Sequence, residues 1–394
     1  MIEGTPALQE IRVLDTAWTG AGLFCSLILG DLGADIIKIH ETDTERRSEQ
    51  TAYALSGMSG YLGLRNCRTM GLDLTTEAGR SVFYELVETS DMIIEASKPE
   101  NSFRFGIDYD TVAKINPRIL YVSLSGYGQD GPYRDIAGHD INYIATGGLL
   151  SLTGVAGGPP IIPGTLVADF AAGGMAAVIA ILAALLGRTH TGRGQYIDVS
   201  LTDGIVEMMS VWINPYLTWG VLSKRGEAWL MGYWPWYNVY ETSDGGHISI
   251  GSLEPWFYAN LCQLLNREDL VEHQYTEGDK RDEIFRYFKE TFRKKTRDEW
   301  LEILRSRDIC SAPVYSIDEV VNDPQLIARG MIGETPHPVL GDVKQVGSMF
   351  KLSNSLFQVR NWCTQFGQHT DEILSQLGYN TVRIDALRQA QVIG

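Results

Sequence analysis

The sequence predicts an α/β fold: a parallel sheet wound by helices on both faces, followed by a smaller α+β domain. Three observations carry this. Short apolar runs alternate with amphipathic ones through the first 125 residues, an almost uncharged segment follows at 170–186, and the composition turns aromatic and loop-rich from residue 223. Alternation of that kind is how a sheet buried on both faces, with helical crossovers, appears in a sequence.

In order, IRVLD (11–15) reads as a strand, GLFCSLILGDLG (22–33) as a helix closed by Gly33, and DIIKIH (35–40) as a second strand, making one βαβ unit. TMGLDL (69–74) is a strand, TEAGRSVFYELVETS (76–90) a helix with Glu77 in its first turn, and DMIIEA (91–96) and ILYVSLS (119–125) are strands. Ligands of such sheets bind beyond the carboxyl ends of the strands. TAWTGAG (16–22), after the first strand, lacks the GxGxxG spacing of a dinucleotide site. The loop after ILYVSLS ends in AGHDINYIATGG.

FAAGGMAAVIAILAALL (170–186) nears the length of a membrane span, but it is rich in Ala and Gly, begins beside Asp169 and has no counterpart elsewhere in the chain. It reads as a buried helix rather than a membrane contact. YIDVSL (196–201) is a further strand, YETSDGGHISIG a hairpin through Asp244-Gly245, and helical patterns follow at 256–266, 281–293 and 297–306. Domains are expected at 1–220 and 221–330, with 331–394 returning to the first.

A net charge of −16 argues against nucleic acid or an anionic membrane as partner. The five cysteines, Cys25, Cys67, Cys262, Cys310 and Cys363, show no metal-ligand spacing and read as free thiols of a reducing, cytoplasmic compartment. The histidines form no HxH or HExxH pattern, so no metal is expected.

Three residues could carry chemistry. His139 beside Asp140 has the form of a helix start, and Asp169 that of an N-cap; burial between Ala168 and Phe170 would raise the Asp169 carboxyl toward a range useful for proton transfer. Glu254, before Pro255, is either a cap or a carboxylate that orients a histidine. Arg65, Arg68 and Arg104 are candidates for a phosphate-bearing ligand or plain surface charges.

With these pieces in place the chain resembles the superfamily of family III CoA-transferases and α-methylacyl-CoA racemases, and is most similar to the racemases. The likeness rests on VLDTAWTGAG, LGDLGADIIKIH, GLRNCRTMGLDL, NPRILYVSLSGYGQDGPY, AGHDINYIATGG, ADFAAGGM, GRGQYIDVSLTDG, YETSDGGHISIGSLEPWFY and GQHTDEILSQLG, in that order along nearly the whole length. It implies a Rossmann-like large domain, a smaller second domain and an interlocked homodimer. It also implies an acyl-CoA thioester as substrate, with no tightly bound cofactor and a place in lipid metabolism. CoA contacts are implied at Leu64, Arg65, Asn66, Arg68, Arg104, Gly138 and Tyr143.

Two reactions occur in the superfamily. In the racemases the residues matching His139 and Asp169 exchange the proton next to the thioester across a flat enolate. The residue matching Glu254 backs the histidine, and the backbone N–H of Asp140 is placed to receive the enolate oxygen. In the transferases the residue matching Asp169 is a nucleophile that forms an anhydride and then an aspartyl-CoA thioester. Glu41 stands where an Arg near the CoA nucleotide is usual and Cys67 where a Lys is usual. Tyr233-Trp234-Pro235-Trp236 replaces a small-residue stretch, which implies an altered acyl pocket.

Overall fold

The computed structural model describes residues 5–18, 20–42, 65–97 and 99–394. They form two units. One comprises Met1–Leu149, Pro163–Ser210 and Ala328–Gly394, the other Leu150–Ile162 and Val211–Ile327. The second unit thus begins nearer the N-terminus than residue 221 and includes a segment, 150–162, that composition did not separate from its neighbours.

In the first unit, β1 (Arg12–Asp15) leads to α1 (Gly20–Asp31) and β2 (Asp35–His40); β3 (Cys67–Gly71), α2 (Glu77–Glu88), β4 (Met92–Glu95), α3 (Tyr109–Ile115) and β5 (Leu120–Ser125) follow. After β5 come α4 (Asp140–Thr146), a π-helix (Ala168–Met175), α5 (Ala176–Thr191), β6 (Gln195–Ser200) and α6 (Leu201–Met208). The six strands are parallel in the order β3-β2-β1-β4-β5-β6. The direction of winding reverses between β1 and β4, where Val13 stands level with both Ile36 and Met92. A ligand cleft belongs at that reversal.

Strands β1 to β5 are covered on both faces, with Leu14, Ile37, Met70, Ile93 and Tyr121 at most 1% exposed, whereas the edge strand β6 is largely exposed. Thr76 accepts the Gly79 N–H and starts α2, whose Phe83 and Leu86 pack into the same core. The C-terminal Ile373, Leu374, Ile384 and Ile393 complete that core. Gly33, at φ +114°, makes the tight turn from α1 into β2. The apolar segment read as one helix is two: the π-helical stretch and then α5, whose Ala177, Val178, Ile181 and Ala184 are buried. Ala168–Thr191 is long and apolar enough to cross a membrane by length and composition. None of the five cysteines is in a disulfide.

In the second unit β7 (Tyr237–Glu241) and β8 (His247–Gly251) form the expected hairpin, with Gly245 at φ +78° in its turn, and β9 (Ser311–Pro313) adds a third antiparallel strand. Helices α7 (Pro255–Leu264), α8 (Asp279–Phe292) and α9 (Arg297–Arg305) enclose an aromatic core of Trp236, Tyr240, Phe288, Phe292 and Trp300. Trp234 and Trp236 lie in this core with stacked rings, and the Trp236 indole donates to the Gln274 carbonyl at 2.8 Å. The two indoles thus help to hold the second unit together. The chain then returns to the first unit with the hairpin β10 (Ile332–His337) and β11 (Gly341–Val346), then α10 (Thr370–Gln376) and α11 (Thr381–Gln389).

Candidate active site

A cavity of about 290 Å³ opens at the carboxyl edge of the sheet, and both His139 and Asp169 line it. Its other walls are Gly20–Gly22 at the start of α1, Leu124–Gly126 at the end of β5, Ala96, Gly138, Tyr143 and Leu201. Small residues dominate the walls, so backbone approaches the reacting space closely.

His139 is the N-cap of α4 in extended backbone conformation, φ −130° and ψ 177°, and is exposed. Its backbone N–H donates to the Asn142 side chain at 3.0 Å, which fixes the entry into the helix. Tyr143, one turn along, donates its hydroxyl to the Gly138 carbonyl, and its ring fills the space where a Cβ on Gly126 or Gly138 would stand. The loop before His139 is therefore held from below by a ring that only glycines can accommodate.

Asp169 is half-buried in the first turn of the π-helix. Burial, then the charge of Asp140, pushes its carboxyl up from 3.8 to about 6, with His139 working in the opposite sense. Asp140 is buried, and one of its oxygens accepts the N–H of Ala168 at 2.7 Å and of Asp169 at 3.2 Å. On the other side Gly20, at φ +46°, touches the carboxyl group: a Cβ there would stand 2.5 Å from Asp169 Oδ2. The Asp140 side chain and Gly20 were not legible as site residues, since neither has a pattern of its own.

The other candidates are held by other elements. Glu254 belongs to the second unit and is the N-cap of α7, its carbonyl accepting the Tyr258 N–H at 3.1 Å. Leu64 lies outside the described residues. Arg65 is 4% exposed and donates to both oxygens of Asp31, to Gln345 at 2.8 Å and to the Val346 carbonyl at 2.6 Å. Asn66 donates to Asp31 and to the Gln358 carbonyl and accepts the Arg360 N–H. Arg68 makes a two-pronged contact with Asp35 and reaches Glu372 and Gln376. These three residues tie the C-terminal segment to the sheet, a role that sequence alone did not show.

Arg104 is exposed at the end of helix Pro99–Phe105, over the Phe105 ring. Glu41 lines a second cleft of about 230 Å³ together with Trp18, Leu72 and Asn101. Cys67 is buried, its thiol pushed up to about 12 by desolvation. Among the described residues no group of three or more His, Cys, Asp or Glu could hold a metal ion.

A six-stranded parallel sheet with an imidazole and a carboxyl group in one cleft at its carboxyl edge defines an α/β enzyme of acid–base or acyl-transfer chemistry. The chain belongs to CoA-transferase family III, which it matches over residues 8–370. It is 32% identical to the alpha-methylacyl-CoA racemase of Homo sapiens over 98% of this chain and 97% of that protein. It is 28% identical to the succinyl-CoA:glutarate CoA-transferase of Homo sapiens over 98% of this chain and 90% of that one. Its structure matches that of a CAIB/BAIF family protein from Brucella suis with a TM-score of 0.80 at 26% identity, covering 95% of this chain and 100% of the other.

Proposed function

We propose that this protein racemises or epimerises 2-methylacyl-CoA thioesters by moving the proton next to the carbonyl from one face to the other. The observation that carries the reading is that an imidazole and a carboxyl group raised to about 6 share one cavity. Inversion needs an acid and a base on opposite faces of a planar intermediate, together holding one exchangeable proton.

In one direction neutral His139 takes the α-proton, the C–H electron pair moves into the thioester carbonyl as an enolate, and protonated Asp169 delivers a proton to the opposite face. The reverse direction starts from the Asp169 carboxylate and the His139 imidazolium. The N–H of Asp140, in the first turn of α4, receives the enolate oxygen, which places a fixed dipole where negative charge develops. Glu254 is the third residue of this reading. The CoA thioester is the substrate, and the chemistry asks for no other group. Ile179, Leu182 and Leu186, exposed on α5 at spacings of three and four residues, support an interlocked homodimer.

The test is to incubate the protein with one enantiomer of a 2-methylacyl-CoA in deuterated water. Deuterium uptake with loss of chirality, and no acceptor acid present, is the expected result. His139→Ala and Asp169→Asn should each slow exchange by about 10²- to 10⁴-fold. A His139→Ala protein that exchanges at the original rate would sink the assignment.

The transferase relative supports a second reading, in which the Asp169 carboxylate attacks the thioester. Inactivation by hydroxylamine only when acyl-CoA is present would favour it, because hydroxylamine traps an aspartyl intermediate.

A further inference from the structure

We propose that the buried ion pair of Asp15 and Lys38 is a positioning element for Asp169, acting through the turn between β1 and α1. The proposal rests on the reading of Asp169 as a proton carrier. Asp15 closes β1 and Lys38 lies inside β2, and their side chains are 0% and 1% exposed. Burying two charges in a sheet costs about as much as their attraction returns, and two apolar residues would serve the sheet as well. The pair therefore calls for an explanation beyond stability.

What apolar residues could not do is hold the backbone of Ala17. Lys38 Nζ donates to Asp15 and also to the Ala17 carbonyl at 3.2 Å, while the other oxygen of Asp15 accepts the Ala17 N–H at 2.8 Å. Both polar groups of one residue are thus gripped by the two partners. Trp18 is fixed in turn, its indole donating to the Ile39 carbonyl at 2.7 Å while its ring lies beside the Lys38 ammonium. The Ala17 methyl packs against Gly22, where a Cβ would come within 2.3 Å of it, so residue 17 bears directly on the first turn of α1.

That first turn is the wall of the site. Gly20 adopts φ +46° and stands where a Cβ would be 2.5 Å from the Asp169 carboxylate. The chain of contact runs from the ion pair to Ala17, from Ala17 to Gly22, and from the start of α1 to Asp169. The charged groups that act on the Asp169 carboxyl directly are Asp140 and His139, with Tyr143 beside it. Asp15 and Lys38 are not among them, and their influence passes through the shape of the wall.

Two double variants and one single variant test this. Asp15→Leu with Lys38→Met removes both charges and leaves the Ala17 N–H without its acceptor. Asp15→Asn with Lys38→Met removes the charges but keeps the acceptor. The first should lower kcat for α-proton exchange by about 10- to 100-fold with KM changed less than about threefold, and the second, which keeps the hold on the Ala17 N–H but loses the Lys38 bond to its carbonyl, should lower kcat by about three- to tenfold. The titration of Asp169, read by carbon NMR of labelled aspartate against Asp169→Asn, should move furthest in the first variant and less in the second.

Ala17→Gly leaves the ion pair intact and removes only the methyl against Gly22. It should lower kcat by about fivefold and move the same titration, and it decides the matter if the Leu/Met variant does not fold. Parental kcat and an unmoved titration in Ala17→Gly and in any folded Leu/Met variant would overturn the proposal. A parent protein that exchanges no α-proton, but whose Asp169 titration still responds, would overturn the racemase reading and leave the positioning role standing.

Discussion

One carboxylate oxygen of Asp140 accepts the backbone N–H of Asp169 at 3.2 Å, so the residue that follows the candidate base His139 also holds the start of the segment bearing the candidate acid. The same carboxylate raises the proton affinity of the Asp169 side chain, second only to burial. One buried charge thus sets both position and protonation.

Replacing Asp140 by Asn separates the two effects, because Asn keeps an acceptor for Ala168 and Asp169 but loses the charge. The Asp169 pKa should fall below about 6, and the limb of the exchange profile that it contributes should move to lower pH with it. The pH dependence of kcat/KM for α-proton exchange reads this directly. A limb that stays in place would mean that burial alone sets the value.

Asp169→Asn should stabilise the protein near neutrality. The folded carboxyl titrates near 6 and the unfolded one near 3.8, so the native state holds the proton more tightly. Its contribution is fully present below about pH 4 and is lost as pH rises through 6. Allowing for solvent screening of a half-buried group, the loss is about 1–2 kcal/mol. Chemical denaturation should find the variant and the parent equal at pH 4 and the variant more stable by that amount at pH 7.

Gly20→Ala introduces a methyl into the Asp169 carboxylate at a left-handed backbone position. The backbone alone costs about 1–2 kcal/mol. Displacement of the carboxyl should lower kcat by about 10²-fold, more than the small fall in unfolding temperature would suggest. A variant with parental kcat would show that the wall can yield.

Arg65→Met tests whether that arginine serves the fold rather than a ligand. Removing it leaves the buried Asp31 carboxylate with the Asn66 amide but no countercharge and should cost about 3 kcal/mol in urea denaturation. KM for the thioester should stay within about twofold in whatever fraction remains folded. A raised KM with intact stability would point to a ligand role instead.

The fold was largely legible because strands buried on both faces leave an apolar trace: IRVLD, DIIKIH, DMIIEA and ILYVSLS contain β1, β2, β4 and β5. The third strand of the second unit was not, since Ser311–Pro313 is too short for alternation and ends in a proline. His139 and Asp169 stood out by residue type and motif. Their supports did not. Lys38 reads as one polar residue in an apolar strand, and nothing local reveals that it is buried. Arg65 reads as a free cation because its partners lie 34 residues before it and 280 after it, beyond any periodicity. Asp140 reads as the cap of its helix, but the cap is His139, and the amide groups that the Asp140 side chain binds belong to residues 168 and 169.

The π-helix over Ala168–Met175 makes the aim of Asp169 a matter of counting. Its wider turn takes in more residues than an α-turn before the helix continues into α5. Excision of one residue between 171 and 175 would let ordinary winding resume, and each α-helical residue turns the chain by about 100°. With α5 anchored by its buried Ile181 and by the Arg188–Asp91 ion pair, the carboxyl group would swing off its target although no residue of the site had been changed. Chain length in this segment is a specification of the same rank as the identity of the acid.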